Sequence, residues 1–193
     1  TVTQPAIAGF RINNPALITV DRCTVTAPTT ANFVGVHIGD DATDATVRGT
    51  TISGTNASGS RGILCESSAQ LLGNKISSFK HSTSGIGIDV EADSLDDVVI
   101  NSYDGPDSTH HTVIKECRTG VYSGGYSRPT VRSARIKGGT YSFWVSSTAA
   151  GDFGVEFTST EKGGCDVTNV ATKFVRADPP RIGLRPWLPV DQG

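Results

Sequence analysis

Along most of the chain, apolar and polar residues alternate in runs of about 3–5 positions. Turns rich in Gly, Asn and Ser separate the runs. Valine, isoleucine and threonine dominate the apolar positions, helix formers such as Leu, Met and Glu are scarce, and no segment holds a helical period. The pattern predicts short β-strands from end to end.

The strands repeat. Six tetrapeptides share the form Gly–apolar–x–small or apolar: GFRI at Gly9, GVHI at Gly35, GILC at Gly62, GIDV at Gly87, GVYS at Gly120 and GVEF at Gly154. Their glycines lie 26, 27, 25, 33 and 34 residues apart. A second series has an apolar residue followed by inward-type residues three and five places on: Val20/Cys23/Val25, Val47/Thr50/Ile52, Leu71/Asn74/Ile76, Val98/Asn101/Tyr103, Val131/Ala134/Ile136 and Val167/Val170/Thr172. Its members start 11, 12, 9, 11, 11 and 13 residues after their glycines, so the two series keep step. One such unit cannot bury its inner face alone. Stacking successive units at about 4.8 Å seats like residues on like and closes every backbone ladder. The competing all-β sandwich would need hairpin turns and would show no strict period.

On this coil pattern the chain resembles the right-handed parallel β-helices of the pectin-lyase-like superfamily, over roughly Ala6 to Val175. The resemblance implies an all-β solenoid of about six coils spanning residues 1–175, with Asn74 and Asn101 stacked in one column at a coil turn. The last two coils are longer, by YDGPDSTHHTVIKEC and TYSFWVSSTAAGD. The first insertion reads as a protruding loop at Gly105 and Pro106 followed by a strand. In the second, Phe143 and Trp144 are candidates to cap the core or form a contact surface. The segment RADPPRIGLRPWLPVDQG holds four prolines, which cannot join a central ladder. Residues 176–193 are therefore expected to form an extended Pro-rich tail or a linker to a further domain.

Composition narrows the function classes. The chain has 193 residues, enough for one domain with a core, and a net charge of −2. It has no basic stripe for nucleic acid, no apolar run long enough for membrane insertion, and no signal-peptide pattern. It contains no methionine and begins at Thr1 inside an apolar pattern, which points to a fragment or processed piece of a longer protein. Cys23, Cys65, Cys117 and Cys165 lack zinc spacing and read as buried free thiols. No metal or other cofactor is expected.

Five of the 19 acidic residues fall within nine positions: Asp89, Glu91, Asp93, Asp96 and Asp97. Side chains alternate across a strand. With Ile88 and Val90 inward, Asp89 and Glu91 face out. The same register gives an outer column of Arg11, His37, Leu64, Asp89, Tyr122 and Glu156, and beside it Asn13, Gly39, Glu66, Glu91, Gly124 and Thr158. Glu66 and Glu91 become neighbours on adjacent coils, with Asp89 roughly 7 Å from Glu91 along the strand. Close carboxylates repel, and one of them should be pushed up towards general-acid range. Separations of about 5–5.5 Å suit a retaining glycosidase and about 6.5–9.5 Å an inverting one. Asp89, Glu91 and Glu66 are thus the candidate catalytic groups, with Tyr122, His37, Arg11 and Glu156 as candidate substrate contacts. A solvated acidic face is the plain alternative, and a calcium site a further one. Asp93, Asp96 and Asp97 read as turn residues that cap backbone N–H groups, and His81, His110 and His111 as loop polarity.

The resemblance does not extend to the superfamily's enzyme signatures. Polygalacturonase-like members carry NTD, DD, GHG and RIK motifs; this chain has Asp96–Asp97 and Arg135–Lys137 but neither NTD nor GHG. A Gly/Ser/Thr/Asn-rich coil style without those signatures is similar to bacteriophage tailspike and tail-fibre β-helices. That likeness implies a virion-tail homotrimer, joined to other tail proteins, that binds and in some members cleaves bacterial surface polysaccharide. A stand-alone secreted lyase or glycoside hydrolase, and a fibre spacer without catalysis, are the alternatives.

Overall fold

The computed structural model describes residues 2–3, 8–93, 96–103, 110–146, 148–149 and 165–171. Among them there is no helix, and every strand pairing is parallel. The six-stranded sheet holds β2 (Ala8–Ile12), β5 (Val34–Ile38), β8 (Arg61–Cys65), β11 (Ile86–Val90), β14 (Thr119–Ser123) and β17 (Tyr141–Val145). The five-stranded sheet holds β3 (Thr19–Asp21), β6 (Ala45–Arg48), β9 (Ala69–Leu72), β12 (Val98–Asn101) and β15 (Thr130–Val131). The seven-stranded sheet holds β1 (Val2–Thr3), β4 (Thr24–Thr26), β7 (Thr51–Ser53), β10 (Lys75–Ser77), β13 (Thr112–Lys115), β16 (Ala134–Lys137) and β18 (Asp166–Thr168). From β2 to β16 the chain visits the three sheets in fixed rotation, so spatial neighbours are three strands apart in sequence. Three parallel sheets wound in this order are the arrangement a β-helix solenoid requires.

Like stacks on like inside. Val36, Ile63, Ile88, Val121 and Phe143 form one buried column, Val20, Val47, Leu71, Ile100 and Val131 a second, and Val25, Ile52, Ile76, Ile114 and Ile136 a third. Each such side chain contributes roughly 1.5–3 kcal/mol by leaving water.

The repeated glycine has a steric cause. A Cβ on Gly62 would lie 2.4 Å from the carbonyl oxygen of Gly87 and 2.5 Å from Ile76 Cγ2. Gly9, Gly35 and Gly87 meet the next coil's carbonyl in the same way, at 2.5, 2.5 and 2.7 Å. At Gly120 the next carbonyl is that of Ser142, 2.6 Å away, so Ser142 holds the glycine place in β17, the last strand of this sheet among the described residues. Ser142 thus takes the place beside Gly120 at which the pattern expected Gly154, and Gly154 itself lies outside the described residues. The segment YSFWV is itself a strand of the six-stranded sheet, and Phe143 joins the core instead of capping it.

The second series needs two corrections. In the fourth unit Ile100, not Val98, pairs with Leu71, and Ile114, not Tyr103, pairs with Ile76. Asn101 pairs with Leu72 and does not stack on Asn74. The polar column is Thr50, Asn74 and Thr112: Thr50 N–H donates to Asn74 Oδ1 at 3.0 Å, Asn74 Nδ2 donates to Val47 O at 2.8 Å, and Asn74 N–H donates to Thr112 Oγ1 at 3.3 Å. In the last unit Val167 pairs with Ile136 in the seven-stranded sheet, one strand later than the pattern places it.

Arg22, Gly49 and Gly73 follow β3, β6 and β9 at φ of 50°, 57° and 59° and turn the chain into the seven-stranded sheet. Cys65 and Cys117 are buried free thiols, as expected, whereas Cys23 and Cys165 are only half-buried. The strand expected after the first insertion is β13, whereas Gly105 and Pro106 and the tail at 176–193 lie outside the described residues.

Candidate functional site

The outer face of the six-stranded sheet carries the candidate residues. Arg11, His37, Leu64, Asp89 and Tyr122 pair successively across β2, β5, β8, β11 and β14, as the alternation predicts. Trp144 of β17 takes the next place, where Glu156 was expected. Glu156 itself lies outside the described residues. The neighbouring column continues the ladder one step past each strand. Glu66 N–H donates to Ile38 O, Glu91 N–H to Cys65 O and Gly124 N–H to Val90 O, each at 2.8 Å. Ser146 N–H donates to Ser123 O at 2.9 Å, in the place expected for Thr158.

Each carboxylate has a different environment. Glu66 is drawn back toward the preceding coil, where its Oε2 lies 2.7 Å from His37 Nε2. Glu91 is exposed. Asp89 points away from the apolar core yet is 0% exposed, lying between Leu64 and Tyr122 in its column. The open groove expected across Asp89, Glu91 and Glu66 is closed at Asp89, because large neighbours on both coils cover so short a side chain. Asp89 Oδ2 accepts a hydrogen bond from Arg61 Nε, and Oδ1 is buried without a partner. Burial pushes the Asp89 carboxyl up to about 7; the Arg61 guanidinium opposes this and the Glu91 carboxylate adds to it. Burial also raises the Tyr122 phenol, with Asp89 and Glu91 contributing.

Arg61 escaped the sequence reading. It occupies the column Val34, Arg61, Ile86, Thr119 and Tyr141, and is the only charged residue there. A lone charge in an otherwise uncharged column, next to the repeat glycine Gly62, was the available signal.

Beyond Asp89 the face turns aromatic. The Tyr122 and Trp144 rings meet edge to face, with centroids 6.0 Å apart at 76°, and Tyr141 and Trp144 lie 5.0 Å apart at 58°. The Arg118 guanidinium sits 5.2 Å from the Tyr141 ring centroid and 5.1 Å from that of Trp144. Gly124 makes room for Tyr122: a Cβ there would stand 2.6 Å from Tyr122 Cε1 and 3.5 Å from Glu91 Cγ. Tyr122 therefore lies between the aromatic cluster and the acidic one. Of the turn acids, Asp96 accepts through Oδ2 from Asp93 N–H at 3.1 Å within the turn and through Oδ1 from Ser68 Oγ on the preceding coil at 3.0 Å. His81 Nδ1 likewise lies within its own turn, 2.9 Å from Ser84 Oγ. Among the described residues no three His, Cys, Asp or Glu side chains converge as a metal site.

What the arrangement offers chemically is a platform. It presents partly exposed aromatic rings, a guanidinium held over two of them, and carboxylates able to accept hydroxyl hydrogen bonds. The fold defines the class, an all-β protein of stacked parallel strands. No protein-family model, curated protein or solved structure matches this chain.

Proposed function

We propose that the chain is a right-handed parallel β-helix of the pectin-lyase-like kind, of about six coils, and that it binds polysaccharide on the outer face of its six-stranded sheet. The observation that carries this reading is the run Asp89, Tyr122, Trp144 along one outer column, with Tyr141 and Arg118 against Trp144 and Glu91 beside Tyr122. Aromatic faces stack on sugar rings, and carboxylates and guanidinium groups bind sugar hydroxyls. On coil style, the protein is read as a bacteriophage tailspike or tail-fibre domain, a homotrimer in the virion tail that attaches to bacterial surface polysaccharide. A panel of capsule and O-antigen polysaccharides tests it. Binding that is lost in Trp144→Ala, with trimeric mass and thermal unfolding retained, supports the reading; a monomer that binds none of them overturns it.

Cleavage is the second reading, favoured by one observation: a carboxyl raised to about 7 beside the exposed Glu91. Against it stands the closure of Asp89, since a general acid must come within hydrogen-bond reach of the bond it protonates. Oligosaccharide release that disappears in Glu91→Gln and Asp89→Asn would establish cleavage. Binding without release leaves Asp89 as the anchor of Arg61.

A further inference from the structure

The Asp89 carboxyl stands where the acidic and aromatic parts of the outer face meet. It is 0% exposed although its strand position faces out. In its column Leu64 lies on one side and Tyr122 on the other, and Trp144 follows Tyr122. Oδ2 accepts from Arg61 Nε, while Oδ1 is buried with no hydrogen-bond partner among the described residues. A neutral carboxyl tolerates such a place. A carboxylate with one oxygen dry and unpartnered does not.

The groups that face Asp89 come from three coils. Arg61, on the preceding coil and 31% exposed, favours ionisation. Glu91 on the same coil and Glu66 on the preceding one oppose it, and Glu66 is itself paired with His37 at 2.7 Å. Tyr122, on the following coil, brings no charge near neutral pH, because burial and the carboxylates of Asp89 and Glu91 raise its phenol above the ordinary value of 10.0. Burial outweighs Arg61, and the Asp89 carboxyl is pushed up to about 7. Its proton is therefore lost near neutral pH.

A newly formed carboxylate needs water or a donor at Oδ1, and the cover on one side must yield. Leu64 is a hydrocarbon, 8% exposed, held between His37 and Asp89 in the column. It has no donor to offer. Tyr122 is only partly buried. It has room on its far side, where Gly124 presents no side chain and a Cβ would stand 2.6 Å from Tyr122 Cε1. The Tyr122 ring also meets Trp144 edge to face, with centroids 6.0 Å apart at 76°. A movement of Tyr122 that admits water to Oδ1 therefore alters that ring contact.

We propose that Asp89 is a proton switch for the aromatic platform: protonated, it stays sealed beneath Tyr122 and keeps that ring against Trp144; ionised, it draws water to Oδ1 and displaces the ring. What the switch governs rests on the polysaccharide-binding reading, whereas the switch itself works in the free chain. On that reading polysaccharide binds the protonated form more tightly. Linkage makes the effect reciprocal, so that a preference of about fivefold raises the Asp89 midpoint in the bound chain by about 0.7 pH unit.

The test titrates the 13C,15N-labelled full chain from pH 5.5 to 8.5 without ligand. Its readouts are the Asp89 carboxyl carbon and the Trp144 indole N–H, the latter assigned by its loss in Trp144→Phe. Both should move together with one midpoint at about 7, and the indole change should vanish in Asp89→Asn. In Arg61→Gln, which removes the cation that favours ionisation, both midpoints should rise by about half a pH unit or more. An indole that stays still while the carboxyl titrates would overturn the proposal; Arg61 would then be turning a second N–H onto Oδ1 in place of water. So would an indole change retained in Asp89→Asn, or a carboxyl already ionised at pH 5.5. Binding of the capsule and O-antigen polysaccharides is measured at the two ends of the range, and should be about fivefold tighter at pH 5.5 than at pH 8.5 in wild type and independent of pH in Asp89→Asn. Coincident titrations with no polysaccharide bound at either pH would refute the polysaccharide reading and leave the ring switch standing. Equal binding at both pH values would overturn its control of the platform.

Discussion

Asp89→Asn isolates the energetic consequence of a buried acid on the outer face. The wild-type carboxyl has an ordinary value of 3.8 and is pushed up to about 7 in the folded chain, chiefly by burial. Between those values the native chain holds a proton that the unfolded chain has released. Fewer protons on the unfolded state means that stability falls as pH rises through this window. At about 1.36 kcal/mol per pH unit the full effect is about 4 kcal/mol, an upper figure because the Arg61 guanidinium is partly solvated and relaxes with the charge. The penalty is absent below about pH 4 and complete above about pH 7. Asparagine keeps the shape and can still accept from Arg61 Nε through its amide oxygen, but has no proton to lose. Urea unfolding at half-unit pH intervals from 4 to 8 measures the difference. The variant should come within about 0.5 kcal/mol of wild type at pH 4, exceed it by roughly 1–2 kcal/mol at pH 5 and by a few kcal/mol at pH 8. Parallel curves for the two proteins across the range would refute the reasoning, as would a wild type that gains stability over the variant with rising pH.

Gly62→Ala forces a methyl group to within 2.4 Å of the Gly87 carbonyl; because backbone cannot yield as a side-chain tip can, a loss of about 3 kcal/mol or more is expected in the urea midpoint, and a loss under about 1 kcal/mol would contradict the steric account of the repeat. Asn74→Ala leaves the Thr50 N–H and Val47 carbonyl without their side-chain partner, for an expected cost of about 2–4 kcal/mol, while Asn101→Ala, outside that ladder, should cost less; equal losses would argue against the corrected column. Burial pushes the thiols of Cys65 and Cys117 up to about 12, so at pH 8 both should resist an alkylating reagent until the chain unfolds while the half-buried Cys23 reacts first; rapid labelling of Cys65 in the native chain would count against the packing.

Spacing alone brought His37, Leu64, Asp89 and Tyr122 into one column because period-2 alternation and a constant coil length are local properties. The reading failed where coil length changed. At the insertion after Asn101 the count ran on through Tyr103, whereas the chain leaves the ladder there and re-enters at Thr112. At the last described coil Ser142 stands where the pattern required glycine, so Trp144, the largest ring of the platform, was legible as a cap or contact residue but not as the next member of the outer column.

The alternation, the glycine repeat and the polar corner positions belong to the sequence, since each follows from the stereochemistry of a pleated strand and from what a close backbone approach tolerates. Burial on the outer face belongs to the tertiary structure. Asp89 and Glu91 are two residues apart and both face outward, yet Glu91 meets water while Asp89 lies beneath its neighbours and against Arg61, 28 positions away. Arg22, Lys75 and Arg135 likewise come from separate coils to line one concavity. A strand's own sequence decides which way a side chain points. What covers it there is decided by the coils above and below, which contribute residues that no local pattern relates.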